Sequence, residues 1–160
     1  MRGIVNQYNS AIRLELYAMI VLCKLLSRLP LSVLYLLSDL VCPIVHRVLR
    51  YRRGTVRKNL AIAFPDHGFE ELARIERDFY RFLCDCAVEI VAAMRLPASE
   101  LRRRVKLVNP EIFQHLLDEQ RPILFLSAHK GNWEWMQFVV ADYLPCPMHT
   151  IYKPLHDGDF

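Results

Sequence analysis

Residues 123–135 read ILFLSAHKGNWEW, and the expected fold class depends on how they divide. Positions 123–127 form a short apolar run with no polar alternation, the pattern of a buried parallel strand. Gly131 then permits a reversal, Asn132 is a good helix cap, and Trp133, Met136, Val140 and Leu144 resume a spacing of three and four. A second strand-like stretch, MHTIY, follows at 148–152. Strand, turn, helix and strand within roughly 30 residues make a βαβ unit, so the expected class is α/β.

In such a unit, chemistry gathers at the carboxyl end of the strand and the amino end of the next helix. His129 falls at that junction, and Glu134 falls five positions on, in the expected first helical turn. A carboxylate bonded to one imidazole nitrogen fixes the tautomer and leaves the other nitrogen as a general base, a role that contributes roughly 10²- to 10⁴-fold in rate. The competing account has His129 packing at the strand end and Glu134 complementing the helix dipole. Spacing alone leaves both open. Ser127 lacks the G-x-S-x-G frame of a nucleophile elbow, and a metal site of His129, Glu134 and His149 lacks the H-E-x-x-H spacing. No metal or other cofactor is expected.

Working back from this block, Asn109 and Pro110 start an expected helix over 110–119, with Ile112, Phe113, Leu116 and Leu117 on its apolar face. VKLV at 105–108 reads as a brief strand, and PASELRRR at 97–104 as a short helix capped by Ser99, with Arg102–Arg104 as a solvated face. From the turn FPDHG (64–68) to about Met94, apolar residues recur at Leu72, Ile75, Phe79, Phe82, Leu83, Cys86, Ile90 and Val91, an amphipathic helix with Glu89 expected in solvent.

The chain has 160 residues, 53% hydrophobic and 24% charged, which excludes a disordered polymer and suits a packed core. Its net charge of +4 is unevenly spread. The first 60 residues hold ten Lys/Arg against two acids, and the remainder eleven against fifteen. A basic, apolar front segment points to an anionic membrane surface rather than to nucleic acid, because its cations are interleaved with aliphatic runs and not with stacking aromatics. Between Leu14 and Val45 the apolar run is interrupted by Lys24, Arg28 and Asp39 and punctuated by Pro30 and Pro43, so two helices are expected, 8–28 and 31–49. They would serve equally as a soluble core. The cluster RVLRYRRGTVRK (47–58), six cations and no acid, favours a cytoplasmic membrane-flanking segment. The expected organisation is therefore a membrane-anchoring segment at 1–58 and an α/β domain from 59 to 160. Five cysteines without a C-x-x-C pair read as reduced thiols facing the cytosol, with no zinc site.

Several blocks, in order, resemble one family. FLSAHKGNWEW (125–135) is similar to the His-x4-Asp/Glu catalytic block of the lipid A biosynthesis lauroyl/myristoyl acyltransferases. SRLPLSVLYLLSDL (27–40) is similar to their N-terminal apolar segment, YRRGTVRKNLAIAFP (51–65) to their R-x-N-L-x-x-A-F-P block, and YKP (152–154) to a Tyr-Arg/Lys-Pro block on the following strand. The resemblance implies a glycerolipid-acyltransferase-like α/β domain at the cytoplasmic face of the inner membrane. It implies transfer of a fatty acyl group from acyl carrier protein, or acyl-CoA, to a hydroxyl of a lipid A precursor or related anionic glycolipid. His129 is then the base, Glu134 its orienting carboxylate, and Asn132 and Lys153 the oxyanion or substrate contacts. Members of the family continue for about as many residues again, so the chain is expected to carry the N-terminal half of such a domain and to be inactive alone. The alternative is a non-catalytic, membrane-associated protein that kept the scaffold.

Overall fold

In the computed structural model, which describes residues 15–119, 122–144 and 146–151, every regular element is helical. Residues 15–26 are helical (α1), and α2 (Leu31–Pro43), α3 (Arg53–Ala63), α4 (Phe69–Ala93), α5 (Ala98–Arg104), α6 (Glu111–Asp118) and α7 (Trp133–Tyr143) follow. The described residues fall into two compact units, one ending at Leu96 and the next beginning at Pro97.

The α/β class expected from the sequence is overturned: among the described residues there is no strand and no sheet. The stretches 105–108, 122–128 and 146–151 carry no ladder. The reason lies in what a strand is. A helix satisfies its own backbone N–H and C=O groups locally, whereas a strand exists only when a neighbour pairs with it. No described segment forms a ladder with 123–127: Phe125 meets only the Phe113 ring of α6 among the aromatic contacts, at 6.0 Å between centroids, and Leu124 and Leu126 stand 77% and 83% exposed. An apolar run without a partner cannot be told from a strand by periodicity alone.

In the first unit α4 is the spine, with Tyr80, Cys84 and Ala92 buried on the face that receives α2 and α3. The expected helix 31–49 divides in two. Pro43 supplies no N–H to the ladder, and the chain continues as a π-helical turn, Ile44–Val48, closed by Leu49 N–H to the Ile44 carbonyl at 2.9 Å. Next, Arg50 and Arg52 both hold left-handed backbone, at φ 49° and 50°, which is strained for a residue with a Cβ. The Tyr80 hydroxyl pins the turn between them by donating to the Tyr51 carbonyl at 2.5 Å. Helix α3 stops at Ala63 because Pro65 pushes Phe64 out of helical space, to φ −133°.

Two polar bonds fasten α2 to α4. Ser38 Oγ donates to Asp85 at 2.7 Å and Tyr35 Oη to Glu89 at 2.6 Å. Glu89 is therefore a bonded, half-buried acceptor and not the solvated residue expected from the sequence.

In the second unit Leu101, Trp135, Val139 and Val140 are buried where α5 and α7 pack together. Pro97 stands before the first turn of α5 where Ser99 was expected to cap it, and no side chain caps that end. Nor does the Asn109 side chain cap α6: its backbone turns left-handed at φ 59°, and Pro110 precedes the helix. The arginine face is exposed as expected, and its side chains make surface ion pairs, Arg103 and Arg104 with Glu100 and Arg102 with Asp142 on α7.

Candidate acyl-transfer site

Residues 122–128 run without regular structure into a bend at His129. The Lys130 N–H donates to the Ala128 carbonyl at 2.8 Å, and Gly131 takes φ 66°, a conformation that glycine adopts without a Cβ penalty. Asn132 then caps α7, its Oδ1 accepting from the Trp135 N–H at 3.0 Å. This is the capping geometry that the Gly-Asn pair implied.

Glu134 sits in the first turn of α7 and is half-buried, while His129 is exposed. The imidazole lies against the Trp133 ring, with centroids 4.6 Å apart and planes tilted by 59°. Among the described residues no hydrogen bond or ion pair links His129 to Glu134. The turn thus holds the two groups on either side of the Gly131–Asn132 reversal without closing the pair. Trp135, one position on, is buried and anchors the first turn of α7 in its unit. Ser127 is exposed, and its Oγ makes a long contact, 3.4 Å, with the adjacent Ala128 carbonyl. Lys153, the other expected substrate contact, lies outside the described residues. Among the described residues no group of three His, Cys, Asp or Glu side chains is placed to hold a metal.

A second polar cluster was missed. Glu76 on α4 is 4% exposed and accepts from Arg53 Nε at 2.6 Å, Arg57 Nε at 2.7 Å and His46 Nε2 at 2.9 Å. His46 in turn stacks on Tyr80 at 4.5 Å. Burial alone would raise the Glu76 carboxyl pKa, but the hydrogen bonds from Arg57, His46 and Arg53 outweigh it and hold it at about 2. Two of the six cations of 47–58, the half-buried Arg53 and the exposed Arg57, are thereby engaged by Glu76, while Arg47, Arg50, Arg52 and Lys58 are exposed and outside this cluster. The signal was available in the sequence, since Glu76 falls one position from Ile75 and four from Leu72 and Tyr80, on a face where a charge needs partners.

The family model described as bacterial lipid A biosynthesis acyltransferase matches residues 6–158. The chain is 26% identical over 127 residues to the lipid A biosynthesis palmitoleoyltransferase of Escherichia coli (strain K12), and equally to the lipid A biosynthesis acyltransferase of Shigella flexneri. Those residues are 79% of this chain and 41% of each relative, so the chain spans about two fifths of the length of the curated relatives it matches. No solved structure matches it. With the family model covering nearly its whole length, and the His129–Glu134 turn inside the matched stretch, the chain belongs to the bacterial lipid A biosynthesis acyltransferase family.

Proposed function

We propose that this protein takes part in acyl transfer to a hydroxyl of a lipid A precursor or related anionic glycolipid, at the cytoplasmic face of the inner membrane. The observation that carries the proposal is the turn itself: an exposed imidazole and a first-turn carboxylate flank a reversal fixed by Gly131 and the Asn132 cap, within the stretch shared with the family.

His129 removes the proton from the acceptor hydroxyl as its oxygen attacks the thioester carbonyl of the donor, acyl carrier protein or acyl-CoA. The tetrahedral intermediate collapses by breaking the C–S bond, and the imidazolium returns its proton to the departing thiolate. Glu134, in the first turn of α7, orients the imidazole and stabilises its protonated form. Catalytic hydrogen bonds are commonly long in the unliganded state and close only around substrate. Asn132 and Lys153 contact the donor oxyanion or the acceptor. The chemistry needs no resident metal or redox group.

A second reading, a membrane-associated scaffold without catalysis, draws on the missing bond between His129 and Glu134. His129→Ala and Glu134→Gln separate the two. The variants are made in a full-length context and expressed in cells, and lipid A acylation is read by mass spectrometry against membrane abundance. The expected result is a loss of about 10²- to 10⁴-fold for His129→Ala at unchanged abundance. Unchanged acylation in His129→Ala removes the catalytic reading in favour of the scaffold.

A further inference from the structure

The segment Leu31–Val48 is apolar enough, with a mean hydropathy of 1.5 over 18 residues, and at ~27 Å long enough, to cross a bilayer. Length and composition alone are weak evidence of a span, because the core helix of a soluble protein passes the same test. Only 17% of this window is buried, so it is no core helix either. We infer that it lies along the membrane surface, docked on anionic phospholipid through its outer face, and does not span. This deepens the membrane part of the function proposed above and rests on it.

Three features carry the inference. First, the two faces of α2 are committed differently. Leu34 and Ser38 are buried against α4, with Tyr35 bonded beside them, while Val33, Leu36, Leu40 and Ile44 form an exposed apolar strip on the other side. Leu40 is 70% exposed, and Val48 in the π turn 73%.

Second, α2 cannot enter the bilayer alone. It is tied to Asp85, Glu89 and, through His46, to Glu76, all on a helix that also carries Arg74, Arg77, Asp78 and Arg81. A spanning α2 would draw these groups toward hydrocarbon, where charge is costly. Asp39 argues the same way. It is exposed and stands near the middle of the window, which would be the bilayer centre for a spanning helix. On a helix lying flat, Asp39 and Ser32 share one border of the apolar strip and stay in water.

Third, the charge at the far end fits an anionic surface. Arg47, Arg50, Arg52 and Lys58 are exposed just beyond the strip, free of the Glu76 network that engages Arg53 and Arg57. An apolar strip rimmed by cations is the signature of an interfacial helix.

The test uses native lysines on either side of the segment. Lys24 and Lys58 are exposed, and Arg28→Lys adds a conservative reporter at the exposed turn before Pro30. Sealed inside-out and right-side-out membrane vesicles bearing the protein are treated with a membrane-impermeant amine reagent, and the modified lysines are identified by peptide mass spectrometry. Modification of position 28 and Lys58 from the same face, with little from the other, is the expected result. Modification from opposite faces overturns the inference, as does protection of position 28 from both. Recovery of the chain in the soluble fraction would overturn it together with the membrane part of the proposed function, whereas unchanged acylation in His129→Ala would leave it standing.

Discussion

Arg57 Nε donates to Oε2 of Glu76 at 2.7 Å, which gives the arginine of the R-x-N-L-x-x-A-F-P block a structural task inside the first unit. Glu76 collects Arg53 and His46 on its other oxygen, so one buried carboxylate ties the π turn and α3 to α4. Its pKa is depressed from 4.5 to about 2, so the stabilisation is present above 4.5 and is lost as pH falls from there toward 2. Allowing for the half-exposed Arg57, Glu76→Gln should cost about 2–3 kcal/mol at pH 7. Urea unfolding at pH 7, 5 and 3 checks this. The wild-type advantage should shrink across the acid window, and equal stabilities at pH 7 would refute it.

The bond from Ser38 to Asp85 lies between buried and half-buried groups, so it is worth more than a surface contact. Ser38→Ala should destabilise the first unit by about 1–2 kcal/mol. A double-mutant cycle with Asp85→Ala should show a coupling of about 1 kcal/mol, and strictly additive effects would mean that the bond does not form in solution.

Asn132 holds the start of α7 through one side-chain acceptor. Asn132→Ala should cost about 1 kcal/mol and Asn132→Asp much less, since a carboxylate caps as well. Gly131→Ala meets open space but must hold φ 66°, a penalty of about 1–2 kcal/mol. Thermal unfolding of the three variants ranks them, and an equal loss in Asn132→Asp and Asn132→Ala would refute the capping role.

The ion pair from Arg102 to Asp142 joins half-exposed side chains. Arg102→Ala should therefore change stability by less than about 1 kcal/mol, and the difference should vanish in 0.5 M salt. A larger, salt-resistant loss would mean that the pair is dehydrated.

Thiol reactivity should follow burial. Burial, with the neighbouring Cys42 and Asp85, pushes the Cys84 thiol up to about 11, while Cys146 is exposed. Alkylation at pH 8 followed by mass spectrometry should modify Cys146 first and Cys84 last. Early labelling of Cys84 would contradict the packing of α4 against α2.

Much of this protein was legible because it is local. The long helix to Met94, the break at Pro30, and the Gly131–Asn132 turn with its cap each rest on residues within one turn of one another, and each formed. So did the order of motifs that gives family membership. Caps failed where the backbone had another option: proline precedes both α5 and α6, and Asn109 turned left-handed.

What the tertiary structure decided were matters that depend on a distant partner. The run at 123–127 has the composition of a buried strand, but pairing is a property of two segments, and no described segment supplies the second. Glu76 and Glu89 looked alike on one helix until α2, the π turn and α3 brought His46, Arg53, Arg57 and Tyr35 to them. Local geometry follows from backbone sterics and hydrogen bonds a few residues apart, which a sequence displays. Strand pairing and charge burial follow from loop closure between remote residues, which it does not.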